Sequence, residues 1–419
     1  MRDLPICIDI DYNTVMGKYS VYPKRRDKRL WIVGLLTVAI VGVSATSLYY
    51  HKRLQAAKST AAVAVQKPVQ AEPKNIDGRY LLHGTTTWSR GIEQTSRRRD
   101  GSYDYAQPFG QLSTFEADKY DAWLTSFECP ITDAVVPFRT QVDNLLFNCR
   151  PEFLPEATKY FDIFSLANNH TGDQNGAVGL KETRDYLQKA GVQYFGNFDP
   201  AVTDDICEVV SLPVRVTKSN KEAEPAQLPA ALCGWHYFMR PPAEGELEVM
   251  RQYAASMPVF AFVEMGAEYQ ATASQQQQTI AKAIIDEGAD FVIANNPHWV
   301  QNTEVYKDKL IVYATGNFIF DQLQPEERRS ASIDVSMQVA YDQNSAAWLE
   351  LGKSCKVFQD DCLQKAQQQK LQKIRPKFTF GVIAGQGGYQ VQTHRADPAT
   401  QTAVEQRMNW QQTLEQLRR

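Results

Sequence analysis

The sequence lacks a Cys-x-x-Cys pair and lacks a large excess of charge of either sign. Its 419 residues carry a formal net charge of -3, so the whole chain gives no electrostatic reason to bind nucleic acid. Without a Cys-x-x-Cys pair, the seven cysteines do not match the usual spacing of a zinc site. The length exceeds what one small domain needs. The informative features are therefore where apolar runs occur and which residues end them.

One long stretch, Trp31–Tyr50, contains no charged residue. A helix needs roughly 20 apolar residues to cross a bilayer, and the aromatic residues at both ends of this stretch are typical of membrane interfaces. The basic cluster Lys24–Arg29 precedes it. The sequence therefore predicts a single-pass helix at 31–50 in the cell membrane, with 1–30 cytoplasmic and the remainder extracellular. A cleaved signal peptide is the alternative, which the length of both segments disfavours.

The composition divides the rest of the chain into segments. Residues 51–77 are rich in Ala, Lys, Gln and Pro, which predicts a solvated stalk. In 78–397, short apolar runs alternate with helical patterns, which predicts a layered α/β domain. A polar stretch at about 352–376 is interpreted as a surface insertion, and 398–419 as an amphipathic tail that forms a terminal helix.

The residue patterns also predict individual elements within the domain. Ala122–Phe127 is predicted to be a strand. Gly176–Ala190 and Ser274–Glu287 are predicted to be helices, the second with Ser274 as its N-cap. The alternation in Ser330–Leu351 predicts further antiparallel strands.

Six of the seven cysteines lie on the predicted extracellular side, where disulfides form. Six cysteines allow 15 pairings. Neighbours in the sequence suggest Cys129 with Cys149, Cys207 with Cys233, and Cys355 with Cys362. Because the last pair closes a short loop, we predict that at least this pair is bonded. The alternative is that all six are buried thiols.

Four apolar runs of the domain end in Asn, Glu or His. They are Ala122–Pro130, Phe161–His170, Val259–Tyr269 and Phe291–Val300. Each begins as a buried strand would, and in the last run Pro297 ends the strand because it has no amide hydrogen and a fixed φ. Since α/β sheets bind ligands at the carboxyl ends of their strands, we expect the four runs to converge on one site.

The polar residues at these ends have chemistry suited to a metal ion or a phosphate-like anion. Asn168, Asn169 and His170 supply amide groups and one imidazole, although a polar turn would use the same residue types. Glu128 suits a ligand or a general base, but a lone carboxylate is more often a solvated residue. Glu264 follows the apolar part of the third run and is a second candidate base.

Six segments of the sequence occur in the order in which a known family has its motifs. They are Gly84–Arg90, Phe127–Thr132, Leu166–Asp173, Val263–Tyr269, Asn295–His298 and Tyr313–Gln322. Over roughly residues 80–322 the chain resembles the CapA-type capsule-synthesis proteins, which are linked to poly-γ-glutamate. The resemblance implies an α/β fold like that of the calcineurin-type metallophosphoesterases, a layered αββα sandwich, here preceded by one transmembrane helix.

The chain departs from this family at positions that resemble the ligands of a two-metal phosphoesterase. Thr85, Ser126 and Glu264 stand where the family has Asp, Asn and His, and Asn295–Asn296 stands where it has two His residues. Two-metal hydrolysis requires both cations to be held a few Å apart, and hydroxyl and amide oxygens are weak ligands for transition metals. The residues that remain are compatible with one hard divalent cation or with none.

The residues and the resemblance together give three sets of candidate site residues. The candidate catalytic residues are His170, Glu264 and His298. The candidate ligand-binding residues are Arg90, Asn168, Asn295 and Asn317. The candidate metal ligands are Glu128, Asn169, His170, Asn296 and His298.

Three functions are compatible with these residues. The first is a membrane-anchored protein that helps to make or handle an anionic cell-surface polymer and has a degenerate metal site. The second is an active metal-dependent hydrolase of a phosphoester or of a polymer amide. The third is a non-catalytic scaffold that recruits a membrane synthase. The expected partners are the anionic polymer, synthase subunits in the membrane and the bilayer itself, and nucleic acid is not expected.

Overall fold

The apolar runs of the domain form the strands of one branched β-sheet. The computed structural model describes residues 73–218, 222–238, 240, 242–355, 359–388 and 392–419. The strands described are β1 Pro73–Thr86, β2 Ala122–Phe127, β3 Ile163–Ser165, β4 Gln193–Phe195, β5 Cys207–Lys218, β6 Ala223–Phe238, β7 Val259–Met265, β8 Phe291–Asn295, β9 Thr303–Tyr306, β10 Lys309–Val312, β11 Asn317–Ile319, β12 Arg329–Ala340, β13 Lys377–Gln386 and β14 His394–Arg395.

Helices connect most of these strands. The α-helices described are α1 Arg90–Ser96, α2 Phe138–Asp143, α3 Leu154–Ala157, α4 Ala177–Lys189, α5 Glu244–Ser256, α6 Gln275–Asp286, α7 Gln343–Cys355, α8 Gln359–Gln368, α9 Pro398–Met408 and α10 Trp410–Leu417. The alternation of strand and helix confirms the mixed α/β fold that the sequence predicts.

The sheet divides at β1, because the two halves of this long strand have different neighbours. Its first residues, 73–77, pair with β5 in antiparallel orientation, and residues 80–86 pair with β2 in parallel orientation. One branch continues through β6, β7, β8, β10 and β9, and the other through β3 and β4. Strands β2 and β7 thereby lie in different branches, and both end near the candidate site.

Alternate residues of the β1–β4 branch face two different apolar cores, as the two-residue period of a strand requires. Leu82 and Leu124 belong to a core that also contains Phe262 and Ile293 from the other branch. Leu81, one position away, belongs to a second core. That second core includes buried residues of the connections between β1 and β4, so this branch is covered on both faces.

Helix α6 begins against the carboxyl end of β7, where the Gln277 side chain donates a hydrogen bond of 3.3 Å to the Met265 carbonyl. The sequence predicts Ser274 as its N-cap, and the structure confirms this. The Ser274 hydroxyl accepts a hydrogen bond from the Gln277 amide at 3.2 Å, and the Gln277 side chain accepts one from the Ser274 amide at 2.9 Å. This reciprocal pair satisfies two amides that would otherwise lack partners.

The first strand begins earlier than the sequence suggests. Strand β1 starts at Pro73, within the segment 51–77 that composition assigns to a stalk, because the edge provided by β12 pairs with Asn75 onward. The predicted cytoplasmic segment 1–30 and membrane helix 31–50 lie outside the described residues, as do residues 51–72 of the stalk. Among the helices that the structure describes, none has the length and apolar character needed to span a bilayer.

The segment at about 352–376, predicted to be a surface insertion, instead contributes to the core. Within it, Cys362, Ala366 and Ile374 are buried. Helix α7 packs against β6, and the carbonyl of Gly352 accepts a hydrogen bond of 2.7 Å from Ser211. The many Gln and Lys residues conceal this apolar face in the sequence, since the buried residues described in α8, Cys362 and Ala366, are few and lie four positions apart.

The predicted amphipathic tail 398–419 forms two helices rather than one. Asn409 separates them with a left-handed conformation, φ 54°. Val404, Met408 and Trp410 are buried, and the carbonyl of Met408 accepts a hydrogen bond of 2.7 Å from Thr303 in β9. The apolar face of the tail therefore covers the edge of the sheet at β9.

All three disulfides suggested by the order of the cysteines are present. Cys129 is bonded to Cys149, Cys207 to Cys233, and Cys355 to Cys362. Cys207 and Cys233 are directly opposed in the β5–β6 ladder. The alternative of six free thiols is wrong.

Replacing Gly352 by Ala will test the packing of α7 on β6. An added Cβ atom would lie 2.1 Å from the carbonyl oxygen of Gln227, so the helix must shift, and we expect the free energy of unfolding to fall by about 2 kcal/mol. Lys353→Ala, at the exposed neighbouring position, should change it by less than about 0.5 kcal/mol. Denaturant unfolding measures both, and equal effects would contradict this packing.

Candidate functional site

The structure brings together polar residues from both branches of the sheet. Ser126 is at the end of β2, and Glu264 is near the end of β7. Their side chains form a short hydrogen bond. The ends of β2 and β7 therefore meet at one polar site, as the four apolar runs predict.

Glu264 is held in this site as a buried carboxyl group. It is 3% exposed. Burial raises the pKa of Glu264 to about 8, helped by the negative charge of Glu128 and opposed by the hydrogen bond from Ser126. At pH 7 the group is therefore mostly protonated.

A second cluster follows β2 and β3. The Asn168 side chain donates a hydrogen bond of 3.3 Å to Glu128, and its oxygen accepts one of 2.9 Å from the His170 amide. Asn168 thus caps the short turn Asn169–Gly172 and positions His170, whose Nε2 lies 4.0 Å from Glu128 Oε1. The predicted residues Glu128, Asn168 and His170 are neighbours, and Asn169 lies in the same turn.

The His170 ring is oriented by two contacts. Its Nδ1 donates to Asp173 at 2.8 Å, and its ring stacks on Phe147 with centroids 3.9 Å apart. Burial lowers the pKa of His170, but the hydrogen bond to Asp173 and the charge of Glu128 outweigh it and leave the pKa above the ordinary 6.5. His170 is therefore suited to carry a proton near neutral pH.

The side chains of Asn295 and Asn296, at the end of β8, are both hydrogen-bonded to other residues of the protein. The Asn295 oxygen accepts a hydrogen bond from the Thr315 hydroxyl. The Asn296 amide donates to the Gly266 carbonyl at 2.6 Å. These contacts hold the loop after β8 against neighbouring segments. Asn295 and Asn296 therefore have a structural role in this loop.

His298 belongs to a chain of side-chain hydrogen bonds at the edge of the site. Its Nδ1 donates to Asn317 at 2.7 Å, Asn317 donates to Gln322 at 2.7 Å, and Gln322 donates to the Tyr269 hydroxyl at 2.9 Å. The Tyr269 ring stacks beside His298. These hydrogen bonds fix the His298 ring. Because Nδ1 donates to Asn317, Nε2 is the nitrogen with the free lone pair in the neutral ring.

Arg90 contributes a compensated positive charge. Its guanidinium lies 2.5 Å from Asp321 and 4.2 Å from the centre of the Phe147 ring. Asp321 also accepts a hydrogen bond of 2.9 Å from the Gly91 amide. Arg90 therefore connects α1 to the loop after β11, close to the Phe147 ring on which His170 stacks.

His236 is a site residue that the sequence patterns do not identify. It lies in β6 directly opposite Glu264 in the parallel β6–β7 ladder, and it is 8% exposed. The signal in the sequence is a histidine within a largely apolar run, Ala230–Phe238. Its neighbour Glu264 lies in a separate segment, so pairing becomes visible only from the register of the two strands.

The donor groups of this site do not fit a metal centre as they are arranged. Among the residues that the structure describes, no group of three or more His, Cys, Asp and Glu side chains is placed to hold a metal ion. Glu264 is engaged by Ser126, and the amide of Asn296 is engaged by Gly266. Hard cations need several oxygen ligands at 2.0–2.6 Å, so the predicted divalent ion stays a prediction.

The fold and the site define a mixed α/β protein with a buried polar site at the carboxyl ends of its strands. The model of the family described as "Bacterial capsule synthesis protein PGA_cap" matches residues 79–322. This match covers more than half of the chain, so the protein belongs to that family. The predicted resemblance is thereby confirmed.

Curated relatives and a solved structure are also similar. The capsule biosynthesis protein CapA of Bacillus anthracis is 30% identical over 196 residues, 42% of this chain and 44% of that protein. The PGA biosynthesis protein CapA of Bacillus subtilis is 36% identical over 73 residues, 17% of this chain and 19% of that protein. The chain therefore spans less than half the length of either relative.

The structure of the calcineurin-like phosphoesterase YfkN from Bacillus subtilis aligns with 82% of this chain and 100% of its own, with 11% identity and a TM-score of 0.37. A likeness this weak carries no argument about function.

Proposed function

We propose that this chain is a CapA-like accessory protein that helps to make or handle an anionic cell-surface polymer of the poly-γ-glutamate type, and that its site binds without metal-dependent hydrolysis. The polymer class rests on family membership and on the names of the CapA relatives, which refer to capsule and PGA biosynthesis. Synthase subunits in the membrane are the expected partners.

The observation that carries the absence of hydrolysis is the contact between Ser126 and Glu264. Two positions that resemble metal ligands of a two-metal enzyme are hydrogen-bonded to each other, and the carboxyl group of Glu264 is buried at 3% exposure. A two-metal mechanism needs charged ligands that fix both cations and activate water. Here two of those positions satisfy each other, which supports a degenerate metal site.

The proposed location is the cell membrane, with a single anchor at 31–50, the amino terminus in the cytoplasm and the described domain outside the cell. The three disulfides support an oxidising compartment, because such bonds are rare in the cytosol. The uncharged run Trp31–Tyr50 supplies the length that a spanning helix requires.

Elemental analysis of the full chain, purified without chelator, tests the degenerate site. We expect much less than one metal ion per chain, because the donors do not converge, and we expect the same content in a His170→Ala, His298→Ala double variant. The single variant His394→Ala, on the peripheral strand β14, is the control for nonspecific binding to histidine. A near-stoichiometric ion in the wild type that the double variant alone loses would favour the active hydrolase instead.

A further inference from the structure

The loop closed by the Cys129–Cys149 bond contains a helix, α2, whose apolar and polar faces are reversed. Phe138 and Val142 lie one turn apart in α2, and both side chains are exposed. Gln141 is the buried residue of this helix, and its side chain donates hydrogen bonds to Glu93 at 3.1 Å and to the Val136 carbonyl at 3.0 Å. A surface helix in water normally turns its apolar stripe toward the core. Helix α2 instead presents its apolar stripe to something outside the domain.

The residues on either side of α2 extend this apolar surface. Val135 is 72% exposed and Leu145 is 54% exposed, and Leu146 is exposed as well. Leu145 also has a left-handed backbone, φ 52°, which glycine and asparagine adopt more readily than an aliphatic residue does. Since its side chain is largely in solvent, packing within the domain does not offset this cost. The term apolar loop is used below for Val135, Phe138, Val142, Leu145 and Leu146.

Every large apolar side chain that is exposed among the described residues lies at the same edge of the sheet. Outside the apolar loop these are Val178 after β3, Phe238 at the end of β6, Tyr269 after β7 and Leu323 after β11. The pairing of the strands gives β1, β2, β3, β6, β7 and β11 one direction, so their carboxyl ends share the edge that holds the candidate site. Since concentrated apolar surface marks contact sites for proteins or membranes, this edge is an interaction surface.

Residue type favours a lipid surface over a protein partner for the apolar loop. Protein interfaces obtain most of their binding energy from Trp, Tyr and Arg, whereas four of the five residues of the apolar loop are Val or Leu. Arg139 and Asp143 are exposed within the same segment, and their charges keep it at the level of the lipid headgroups. An apolar face that enters only the boundary between headgroups and acyl chains is typical of segments that lie on a bilayer.

The chain is long enough to bring this edge of the sheet to the membrane. Strand β1 has 14 residues and spans about 45 Å at roughly 3.3 Å per residue, so Pro73 lies that far from the carboxyl edge. Residues 51–72 connect the predicted anchor to Pro73 and reach at most about 75 Å when extended. A tethered domain stays at a high effective concentration near its membrane. The bilayer is therefore the apolar phase that the loop meets continuously.

We propose that the apolar loop docks on the outer surface of the bilayer, so that the edge of the sheet with the candidate site faces the membrane. This inference rests on the proposed membrane location and goes beyond it, because it assigns the lipid surface as a binding partner of the domain itself. The Cys129–Cys149 bond and the buried Gln141 fix the loop before it docks, so docking requires little further ordering of the chain.

Photo-cross-linking of the full chain in vesicles tests this contact. The vesicles contain phosphatidylglycerol, phosphatidylethanolamine and a phospholipid with a diazirine in its acyl chain, and mass spectrometry locates the lipid labels. We expect labels within 133–146 in addition to those on the predicted anchor. The double variant Leu145→Asn, Leu146→Asn should reduce labelling of the loop several-fold, because these side chains no longer gain from leaving water. Asn144→Ser, a polar change in the same loop, is the matched control and should leave the labelling unchanged.

The outcomes separate this contact from the proposed location. Labels on the anchor but none within 133–146 would overturn docking on lipid, point to a protein as the occupant of the apolar loop, and leave the membrane location standing. Labels on neither segment would overturn both proposals. Equal labelling of the loop in the wild type and the leucine variant would also overturn docking, because the apolar side chains would then contribute nothing. Labelling of the wild type decides the question even if the leucine variant does not fold.

Discussion

Raising the pH from about 5 to about 9 will remove several kcal/mol of unfolding free energy from this protein, and Glu264→Gln will abolish most of that loss. The pKa of Glu264 is raised from 4.5 to about 8 in the folded state, so between these values the folded chain holds a proton that the unfolded chain releases. Stability is then greatest below pH 4.5 for this group and falls as the pH rises toward 8. The shift corresponds to at most about 5 kcal/mol.

Denaturant unfolding of the wild type and the variant at several pH values measures this effect. Other groups titrate in the same range, but they are common to both proteins, so the difference between the two curves isolates Glu264. Gln at this position keeps the size of the side chain and a polar partner for Ser126. Glu268→Gln, the same change at an exposed position, is the matched control. Parallel curves for wild type and Glu264→Gln would contradict a buried neutral carboxyl group.

The sequence predicts the strands that end at the site with useful accuracy, because their apolar runs are bounded by strong breakers. The expected strand Ala122–Phe127 is observed with the same bounds, and helix α4, expected at Gly176–Ala190, spans Ala177–Lys189. The start of β1 is not predictable in this way. Residues 73–77 contain a single large apolar residue, Ile76, and become a strand because β12 and β5 pair with them.

Helix α7 is a segment in which periodicity predicts the wrong type of secondary structure. The sequence Ser330–Leu351 alternates enough to suggest antiparallel strands throughout, and β12 does pair in this way with β1 and β13. From Gln343 the chain is helical instead, since Trp348, Leu351 and Cys355 are buried against the sheet at helical spacing. Periodicity alone does not separate the two outcomes where alternation and helical spacing coincide.

For the site, residue type predicted which segments meet, but not what each side chain contacts. Glu128, Asn168 and His170 are neighbours as expected. Asn295 was a candidate ligand-binding residue, yet its oxygen is bonded to Thr315, a partner that becomes adjacent only through the fold. The sequence does not identify His236 for the same reason, since its position opposite Glu264 depends on the register of β6 and β7.

The loop between Cys129 and Cys149 connects the site to the stability of the fold. Its apolar residues are largely on the surface: Val135, Phe138, Val142, Leu145 and Leu146 are exposed. The loop therefore gains little stability from apolar burial. The disulfide between its ends and the buried polar residues Gln141 and Asn148 hold the loop in place instead. At its end, Phe147 stacks on His170.

Removing this disulfide by Cys129→Ala, Cys149→Ala will lower the free energy of unfolding by about 3 kcal/mol, because the bond spans 20 residues and constrains the unfolded chain accordingly. The matched variant Cys355→Ala, Cys362→Ala opens a span of 7 residues and should cost less, about 2 kcal/mol. Non-reducing denaturant unfolding gives both values, and a larger loss for the shorter span would contradict the loop-entropy explanation.

In the Cys129→Ala, Cys149→Ala variant alone, the freed Phe147 amide no longer donates its hydrogen bond to Asp173, so His170 should also lose its fixed orientation. Broadened His170 signals in the ¹⁵N spectrum would show that the disulfide positions the site as well as stabilising the fold.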